Sequence, residues 1–174
     1  MSGSIPPAMD RSKPPIPSGS STFQFPPFET HELENGLQVY LAHYPRGPLV
    51  HQLLVMPGGA QHDTHDRAGL STLTASMMDE GTQNQSAIDL AHRVESLGGY
   101  LTSQADWDSM SVALGLLASH QRPGLELLAE IASRASFPEH ELARLRSQHL
   151  AEVQRRLAQP SSQASEALSS LIYG

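Results

Sequence analysis

The sequence predicts an α+β protein built in two layers, in which a mixed or antiparallel β-sheet carries helices on one of its faces. Two observations support this fold class. Stretches in which apolar and polar residues alternate are separated by stretches with apolar residues at helical spacing. The resulting order, β-β-β-α-α-β-β-α-α-α, lacks the regular βαβ alternation and the G-x-G-x-x-G fingerprint of a dinucleotide-binding fold.

The composition excludes several classes of function. At 174 residues with 39% hydrophobic content, the chain is large enough for one well-formed core. Its net charge of −7 and its scattered Lys and Arg residues argue against a nucleic-acid-binding face. The absence of cysteine excludes disulfides and thiolate zinc sites. No apolar run approaches the roughly 18 residues that span a bilayer, and the N-terminus lacks an apolar signal segment, so we expect a soluble protein of the cytoplasm or periplasm.

The N-terminal part divides into a predicted arm and the start of a folded domain. Residues 1–27 are rich in Pro, Ser and Gly, which predicts a disordered arm, and residues 28–174 are predicted to form the domain. The domain opens with a hairpin signal, two alternating runs joined by Asn35 and Gly36. The next run, LVHQLLVMPGG, is almost continuously apolar, which favours a central strand covered on both faces.

The stretch from Gly69 to Thr82, GLSTLTASMMDEGT, predicts a short amphipathic helix between two glycines. Leu70, Leu73 and Met77 recur at helical spacing and are expected to face the core. The other side is predicted to carry small or polar residues, Thr72, Ala75, Ser76 and Asp79. A face of small residues on such a helix indicates that another group lies close to it.

The rest of the chain is predicted to contain four helices and one hairpin. A helix runs from Ser86 to a Gly-Gly stop, and two strands then flank a turn at 106–108. Further along the chain, Ser136 is followed three residues later by Glu139, which predicts a capping box at the start of a helix. The three final helices are expected at about 120–136, 136–158 and 161–174.

The order of these motifs resembles the N-terminal domain of the insulinase/pitrilysin family, the inverzincin metallopeptidases that include mitochondrial processing peptidase subunits. The resemblance covers residues 28–174 and implies the two-layer fold predicted above. It also implies that the domain is incomplete at its C-terminal end. The motifs that carry it are LENGLQVYL, GGAQHD followed by AGL, the GT after the helix, SAIDLAHRVESLGGYLTSQADWDS and FPEHELARLRSQHLAEV.

Active members of that family carry H-x-x-E-H on the helix that corresponds to Gly69–Thr82. Its two histidines bind Zn²⁺, and its glutamate accepts a proton from the metal-bound water. Laid on this sequence without a gap, the motif has its histidines at Thr72 and Ser76 and its glutamate at Ala75. The later acidic ligand corresponds to Glu152. Because Thr, Ser and Ala do not supply these functions, the resemblance implies that no zinc or other cofactor is bound and that this mechanism is absent.

Two sets of polar residues have alternative interpretations. His62 and His65, with the Asp residues beside them, are either a weak alternative metal site or a solvated polar loop. Glu152 is either a residual ligand position or the partner of Arg155 or Arg156 on a solvated helix face.

The resemblance implies a non-catalytic subunit, or half, of an insulinase-family zinc peptidase. In such pairs one half bears the zinc motif, and the degenerate half contributes chamber wall, substrate contacts and scaffold around a peptide. The expected partner is therefore a zinc-bearing homologous subunit, with which the peptide substrate is shared. Two alternatives stay open: a purely structural or interaction subunit similar to the core proteins of a respiratory complex, and a zinc endopeptidase whose ligands have moved.

Overall fold

The structure, a computed structural model, describes residues 24–44 and 47–173. The predicted N-terminal arm falls outside the described residues as far as residue 23. Backbone contacts divide the chain into two compact units, Met1–Arg46 and Gly47–Gly174, and each unit is described by itself.

The first unit contains the predicted hairpin. Strands β1 (Phe28–Glu32) and β2 (Gln38–Ala42) pair antiparallel. Gly36 has a φ of +82°, a left-handed conformation that glycine adopts without steric cost. The side-chain oxygen of Asn35 accepts a hydrogen bond from the Leu37 amide at 3.1 Å. The Asn-Gly signal is thereby confirmed as the turn that joins the two strands.

The second unit contains a three-stranded antiparallel sheet. Its strands are β3 (Leu49–Pro57), β4 (Tyr100–Ala105) and β5 (Ser109–Leu117), in the order β3-β5-β4. The prediction that β3 is a central strand is wrong, because β5 occupies the centre and β3 lies at an edge. The apolar run of β3 instead gives this edge strand two apolar faces, one packed on the core and one exposed.

Five helices complete the predicted order of elements. They are α1 (Leu70–Met77), α2 (Ala87–Ser96), α3 (Gln121–Arg134), α4 (Glu139–Leu157) and α5 (Pro160–Tyr173). A capping box does occur, but at the start of α2, where the Ser86 hydroxyl and the Asp89 carboxylate each bond the other's backbone amide. The box predicted at Ser136 and Glu139 is wrong, because α4 begins at Glu139 and Ser136 instead donates its amide to the Gly81 carbonyl.

The core lies between one face of the three-stranded sheet and the helices α2 and α3, which confirms the two-layer α+β prediction. Burial of each large apolar side chain contributes about 1.5–3 kcal/mol to this packing. The sheet side is formed mainly by β5, and Met78 joins the cluster from the end of α1. The members of the core are Met78, Leu90, Val94, Leu97, Val112, Leu114, Leu116, Leu127, Leu128 and Ile131.

The turn between β4 and β5 is held by the loop that follows β3. The amides of Gly58, Ala60 and Gln61 donate to the backbone carbonyls of the turn at 106–108, at 2.9 to 3.2 Å. At Gly59 a Cβ atom would lie 2.3 Å from the Asp106 carbonyl oxygen, so only glycine permits this approach. The backbone of the turn is therefore fixed, although the Trp107 side chain is 71% exposed.

A carboxylate joins the segment after α1 to two other helices. Glu130 of α3 accepts hydrogen bonds from the Thr82 hydroxyl at 2.9 Å and the Arg93 guanidinium at 3.0 Å. The amides of Asn84 and Gln85 complete the set at 3.0 to 3.3 Å. Burial raises the pKa of Glu130, but these hydrogen bonds lower it by more, so that the pKa lies below its ordinary value.

Substitution of Glu130 by alanine is expected to lower the free energy of unfolding by about 1–3 kcal/mol, because four donors lose a largely buried acceptor. The depressed pKa means that this contribution is present above the ordinary glutamate pKa of 4.5 and is lost as the pH falls below it. The difference between wild type and Glu130→Ala in urea titrations should therefore shrink on acidification.

Glu126→Ala is the matched control for this measurement. Glu126 lies one turn earlier on the same helix and makes only an exposed pair with Arg122, so its loss should cost less than about 1 kcal/mol. Equal effects of the two substitutions, or a difference independent of pH, would contradict the role given to Glu130.

Candidate functional site

Helix α1 lies between a glycine at each end and contacts β4, β5 and α4. Gly69 precedes it with a φ of +92°, and Gly81 follows it with a φ of +139°. These two positions bend the chain into and out of the helix in conformations that other residues rarely adopt. The short helix is therefore held within the folded unit from several sides.

The N-terminus of α1 is capped by a residue from the preceding loop. One carboxylate oxygen of Asp63 accepts hydrogen bonds from the Ser71 hydroxyl at 2.6 Å and the Ser71 amide at 3.1 Å. The other accepts from the Gly69 amide at 3.0 Å. Amides in the first turn of a helix lack intrahelical partners, and a carboxylate there is also favoured by the helix dipole. The hydrogen bond from the Ser71 hydroxyl is the main reason that the pKa of Asp63 is lowered.

The predicted division of α1 into a core face and a small polar face is only partly correct. Met77 is buried as predicted, but Leu70 is 48% exposed. Ala75, on the predicted face of small residues, is only 1% exposed, as expected if another group lies close to that face. The reason is that α1 contacts both the sheet and α4, so its buried residues do not form a single stripe.

Three α1 residues correspond to the predicted ligand and base positions. Thr72 is exposed, Ser76 is half-buried, and both lie on one side of the helix because they are one turn apart. The Ser76 hydroxyl donates to the Thr72 carbonyl oxygen at 3.0 Å, so its proton is already used within the helix. Ala75 has no side-chain donor or acceptor and lies among buried atoms.

The predicted acidic position lies on α4. Glu152 is exposed and forms an ion pair with Arg155, one turn further along the same helix. This is one of the two alternatives that the sequence left open for this residue. The N-terminal half of α4 lies against α1, where the Arg144 guanidinium pairs with Glu80 at 2.5 Å and with Glu141 at 2.6 Å. The pair with Glu80 connects the segment that follows α1 to α4, and the pair with Glu141 lies within α4.

Next to this ion-pair cluster, Asp79 at the end of α1 is partly buried. Burial raises the pKa of Asp79, and the negative charge of Glu80 raises it further, whereas the nearby Arg144 lowers it. The raised pKa means that ionised Asp79 opposes folding as the pH rises above the ordinary aspartate pKa of 3.8. The end of α1 therefore holds an acidic residue at a cost in stability.

Beside His62 and His65, the predicted alternative metal site, the described residues supply no further metal ligand. Both histidines are exposed and lie in two short 3₁₀ turns, Ala60–His62 and His65–Arg67. Asp63, the acid between them, is engaged in capping α1. Within residues 24–44 and 47–173, no group of three or more His, Asp or Glu side chains is arranged to hold a metal ion.

The zinc ion of active insulinase-like sites does not fit the predicted ligand positions of this chain. Zinc requires imidazole, thiolate or carboxylate donors, and neutral hydroxyls are poor substitutes. Thr72 and Ser76 supply only hydroxyls, and Glu152 is the single carboxylate at the predicted positions, already paired with Arg155. No catalytic step through zinc is derived for this chain.

The fold is that of peptidase M16 domains: a crystal structure of a peptidase M16 inactive domain from Pseudomonas fluorescens superposes with a TM-score of 0.73 at 26% identity, over 79% of this chain and 34% of that chain. The model of the insulinase family, peptidase family M16, matches residues 38–174. The chain belongs to the insulinase family.

Other proteins are similar to this chain at low identity. A crystal structure of a protease from Helicobacter pylori has a TM-score of 0.67 at 22% identity over 76% of this chain and 32% of its own length, which supports the fold. The mitochondrial-processing peptidase subunit alpha-2 of Dictyostelium discoideum is 30% identical over 66% of this chain and 26% of that protein. An uncharacterised zinc protease of Bacillus subtilis is 23% identical over 81% of this chain and 34% of its own length. The chain thus spans about a third or less of the relatives it matches.

Among the helices of the described residues, none combines the length and the apolar character that crossing a bilayer requires.

Three interactions of the site region were not predicted from the sequence. The Asp63 cap joins residues six to eight positions apart through a loop. The contacts of Arg144 with Glu80 and of Glu130 with Thr82 span 64 and 48 positions. For the Asp63 cap, the one local signal is an acidic residue shortly before the glycine that precedes the helix.

Substitution of Asp63 by alanine is expected to release the first turn of α1, because Gly69 and Ser71 lose their shared acceptor. Amide hydrogen exchange at Ser71 should become faster, and the melting temperature should fall by a few degrees. Asp66→Ala is the control, since Asp66 is an exposed neighbour paired only with Arg67 at 3.8 Å. Unchanged exchange at Ser71 in Asp63→Ala would contradict the capping role.

Proposed function

We propose that this chain is the non-catalytic member of an insulinase-family zinc peptidase and acts with a zinc-bearing homologous subunit or half. The observation that supports the proposal is the donor set of α1, in which hydroxyls and a methyl group stand at the positions predicted for the ligands and base of the family motif. A neighbour named as an inactive domain and a relative named as a peptidase subunit are consistent with such a role.

Edge strand β4 is the element of this chain that is best suited to contact a peptide. In the described sheet, β4 pairs only with β5, and it also contacts α1. The Asp106 amide donates to the Ser109 carbonyl at 2.8 Å, so these two residues form a hydrogen-bonded pair of the antiparallel ladder. Hydrogen-bonded and non-hydrogen-bonded pairs alternate along such a ladder. The backbone groups of Leu101 and Ser103 then point away from β5. An extended peptide could add to this edge through main-chain hydrogen bonds, which is a common mode of peptide recognition.

Within this proposal the chain supplies binding surfaces for the peptide, and its zinc-bearing partner supplies the catalytic groups. The rigid attachment of α1 through Asp63 and Arg144 keeps the helix beside β4 without any metal. The chain would therefore provide a wall and a binding edge for a peptide that the zinc-bearing partner cleaves. The substrate is a peptide or an unfolded segment, since a binding edge of this kind recognises extended backbone.

Reconstitution of a metal site tests the assignment of the motif positions. The double variant Thr72→His/Ser76→His has two imidazoles one helical turn apart, and together with Glu152 it should bind one Zn²⁺ per chain, measured by calorimetry and by metal content after dialysis. Glu152→Gln in the same background should weaken binding by about tenfold or more. A folded double variant that binds no zinc would refute the assignment.

Co-expression with a zinc-bearing homologue tests the function itself. We expect cleavage of a peptide substrate by the pair at a rate well above that of the homologue alone, and no chelator-sensitive cleavage by this chain alone. The control pair carries a Glu→Gln change in the H-x-x-E-H motif of the partner, which should abolish cleavage because its general base is lost. Association without any gain in cleavage would favour the purely structural role, and chelator-sensitive activity of this chain alone would favour relocated zinc ligands.

A further inference from the structure

The turn between β1 and β2 places an asparagine directly before a glycine in a tight, hydrogen-bonded loop. The Leu33 carbonyl accepts a hydrogen bond from the Gly36 amide at 2.8 Å, and the Leu33 amide donates to the Leu37 carbonyl at 2.9 Å. Gly36 adopts the left-handed conformation, so the loop has the form of a tight turn followed by a left-handed glycine, a common hairpin connection. Asn35 therefore stands at the end of the tight turn, and Gly36 supplies the backbone nitrogen that follows it.

An asparagine that precedes a glycine can react with its own backbone. The nitrogen of the next residue attacks the side-chain carbonyl carbon while a base from the solvent takes the amide proton. A new N–C bond forms, and the C–NH₂ bond breaks with release of ammonia, which leaves a succinimide ring. Water then opens the ring at either of its carbonyl groups and yields aspartate or isoaspartate. The sequence of steps needs no oxidant, reductant or enzyme.

Two features of this turn favour the attack on the Asn35 side chain. Gly36 has no Cβ, and no atom lies within 4 Å of the place where a Cβ would stand, so the attacking nitrogen is not shielded. The Leu37 amide donates to the side-chain oxygen of Asn35 at 3.1 Å. A donor in this place stabilises the negative charge that develops on the oxygen during the attack, as the donors of an oxyanion hole do.

The closed form of the turn opposes the reaction. The Gly36 nitrogen donates its proton to the Leu33 carbonyl, so the turn must open before this nitrogen reaches the side-chain carbon of Asn35. Opening also breaks the hydrogen bond from the Leu33 amide to the Leu37 carbonyl. Two such hydrogen bonds change an equilibrium by at most about 100-fold, and a two-stranded hairpin is only marginally stable by itself. The closed turn therefore slows the reaction but does not prevent it.

The chain has one other asparagine, Asn84, which is exposed like Asn35 but lacks these features. The residue that follows it is Gln85, whose Cβ shields the backbone nitrogen. The Gln85 amide donates to the Thr82 hydroxyl at 3.1 Å, and the Asn84 carboxamide donates to Glu130 at 3.3 Å. Because both reacting groups are held by neighbouring side chains, Asn84 is expected to stay intact and to serve as an internal control.

We propose that Asn35 is a site of spontaneous modification, at which the β1–β2 turn converts its own asparagine to aspartate and isoaspartate. The proposal goes beyond the proposed function and does not depend on it. The turn lies in the first unit, whereas the predicted metal positions lie in the second.

The modification changes both the backbone and the charge of the turn. Isoaspartate leads the main chain through its side-chain carbons, which adds a methylene group before Gly36. The hydrogen bonds of Leu33 with Gly36 and Leu37 then lose their geometry. A new carboxylate also joins those of Glu32 and Glu34, and like charges that lie close together destabilise a strand pair. The modified hairpin is therefore expected to open more often than the original one.

Incubation of the full chain in neutral buffer, followed by peptide mapping with mass spectrometry, tests the proposal. Aspartate and isoaspartate should accumulate at position 35 with release of ammonia, while Asn84 stays unchanged. Conversion of Asn35 in the folded chain should be at most about 100-fold slower than in the same chain unfolded in urea. In the fraction that contains isoaspartate, amide hydrogen exchange at Leu33 should be faster than in the unmodified chain.

A variant that loosens the hairpin tests whether opening of the turn limits the reaction. The rings of Phe28 and Tyr40 lie 6.2 Å apart across the two strands, and Tyr40→Ala removes this contact. Conversion at Asn35 should then be about two- to fivefold faster. Glu126→Ala, which removes only an exposed ion pair on α3, is the control and should leave the rate unchanged. If Tyr40→Ala does not fold, Phe28→Ala removes the same contact.

Several results would overturn the proposal. One is an intact Asn35 in the folded chain when incubation has lasted about 100 times longer than the unfolded chain needs for conversion. Others are equal conversion at Asn84, or a rate in Tyr40→Ala that matches the rate in Glu126→Ala. None of these measurements involves zinc or a partner subunit, so failure here leaves the proposed function standing, and failure of the zinc-binding test leaves this proposal standing.

Discussion

The carboxylate of Glu130 is the constraint on which the arrangement of the helices depends. A single acceptor on α3 satisfies donors from the segment after α1 and from α2, which lie 48, 45 and 37 positions away in the sequence. Because a charge at this depth is tolerated only when it is fully paired, its partners must stay in place together. The β-bridge of Thr82 with Ala135 adds a backbone link at the same point. The end of α1 is therefore positioned by hydrogen bonds that involve none of the residues at the predicted metal positions.

This arrangement explains how hydrogen bonds and ion pairs of the protein alone can hold α1 in place. In a zinc site the metal itself would tie α1 to another helix. Here Asp63 holds one end of α1, and the pair of Arg144 with Glu80 holds the segment after its other end against α4. Ala75 fills a fully buried position where an ionised glutamate would need to be solvated or paired. The interactions that position the helix are separate from the groups that would perform catalysis.

The sequence allowed prediction of the elements whose signals are local. The Asn35-Gly36 turn and the Gly-Gly stop after α2 depend on the conformation of one or two residues, and both are found in the structure. The edge position of β3 and the exposure of Leu70 depend on which elements lie alongside, and periodicity carries no such information. Residue identities at Thr72, Ala75 and Ser76 could be read directly, whereas the capping role of Asp63 required the fold of the loop.

The Trp107 side chain has a consequence for spectroscopy of this protein. It is the only tryptophan in the chain, and its indole is mostly in solvent while its backbone is clamped by the loop after β3. Emission from the native state should already lie close to that of a hydrated indole, so fluorescence will respond weakly to unfolding. The same property makes Trp107 a sensitive reporter of any molecule that covers the tip of the β4–β5 hairpin, because a blue shift would then arise against a hydrated baseline.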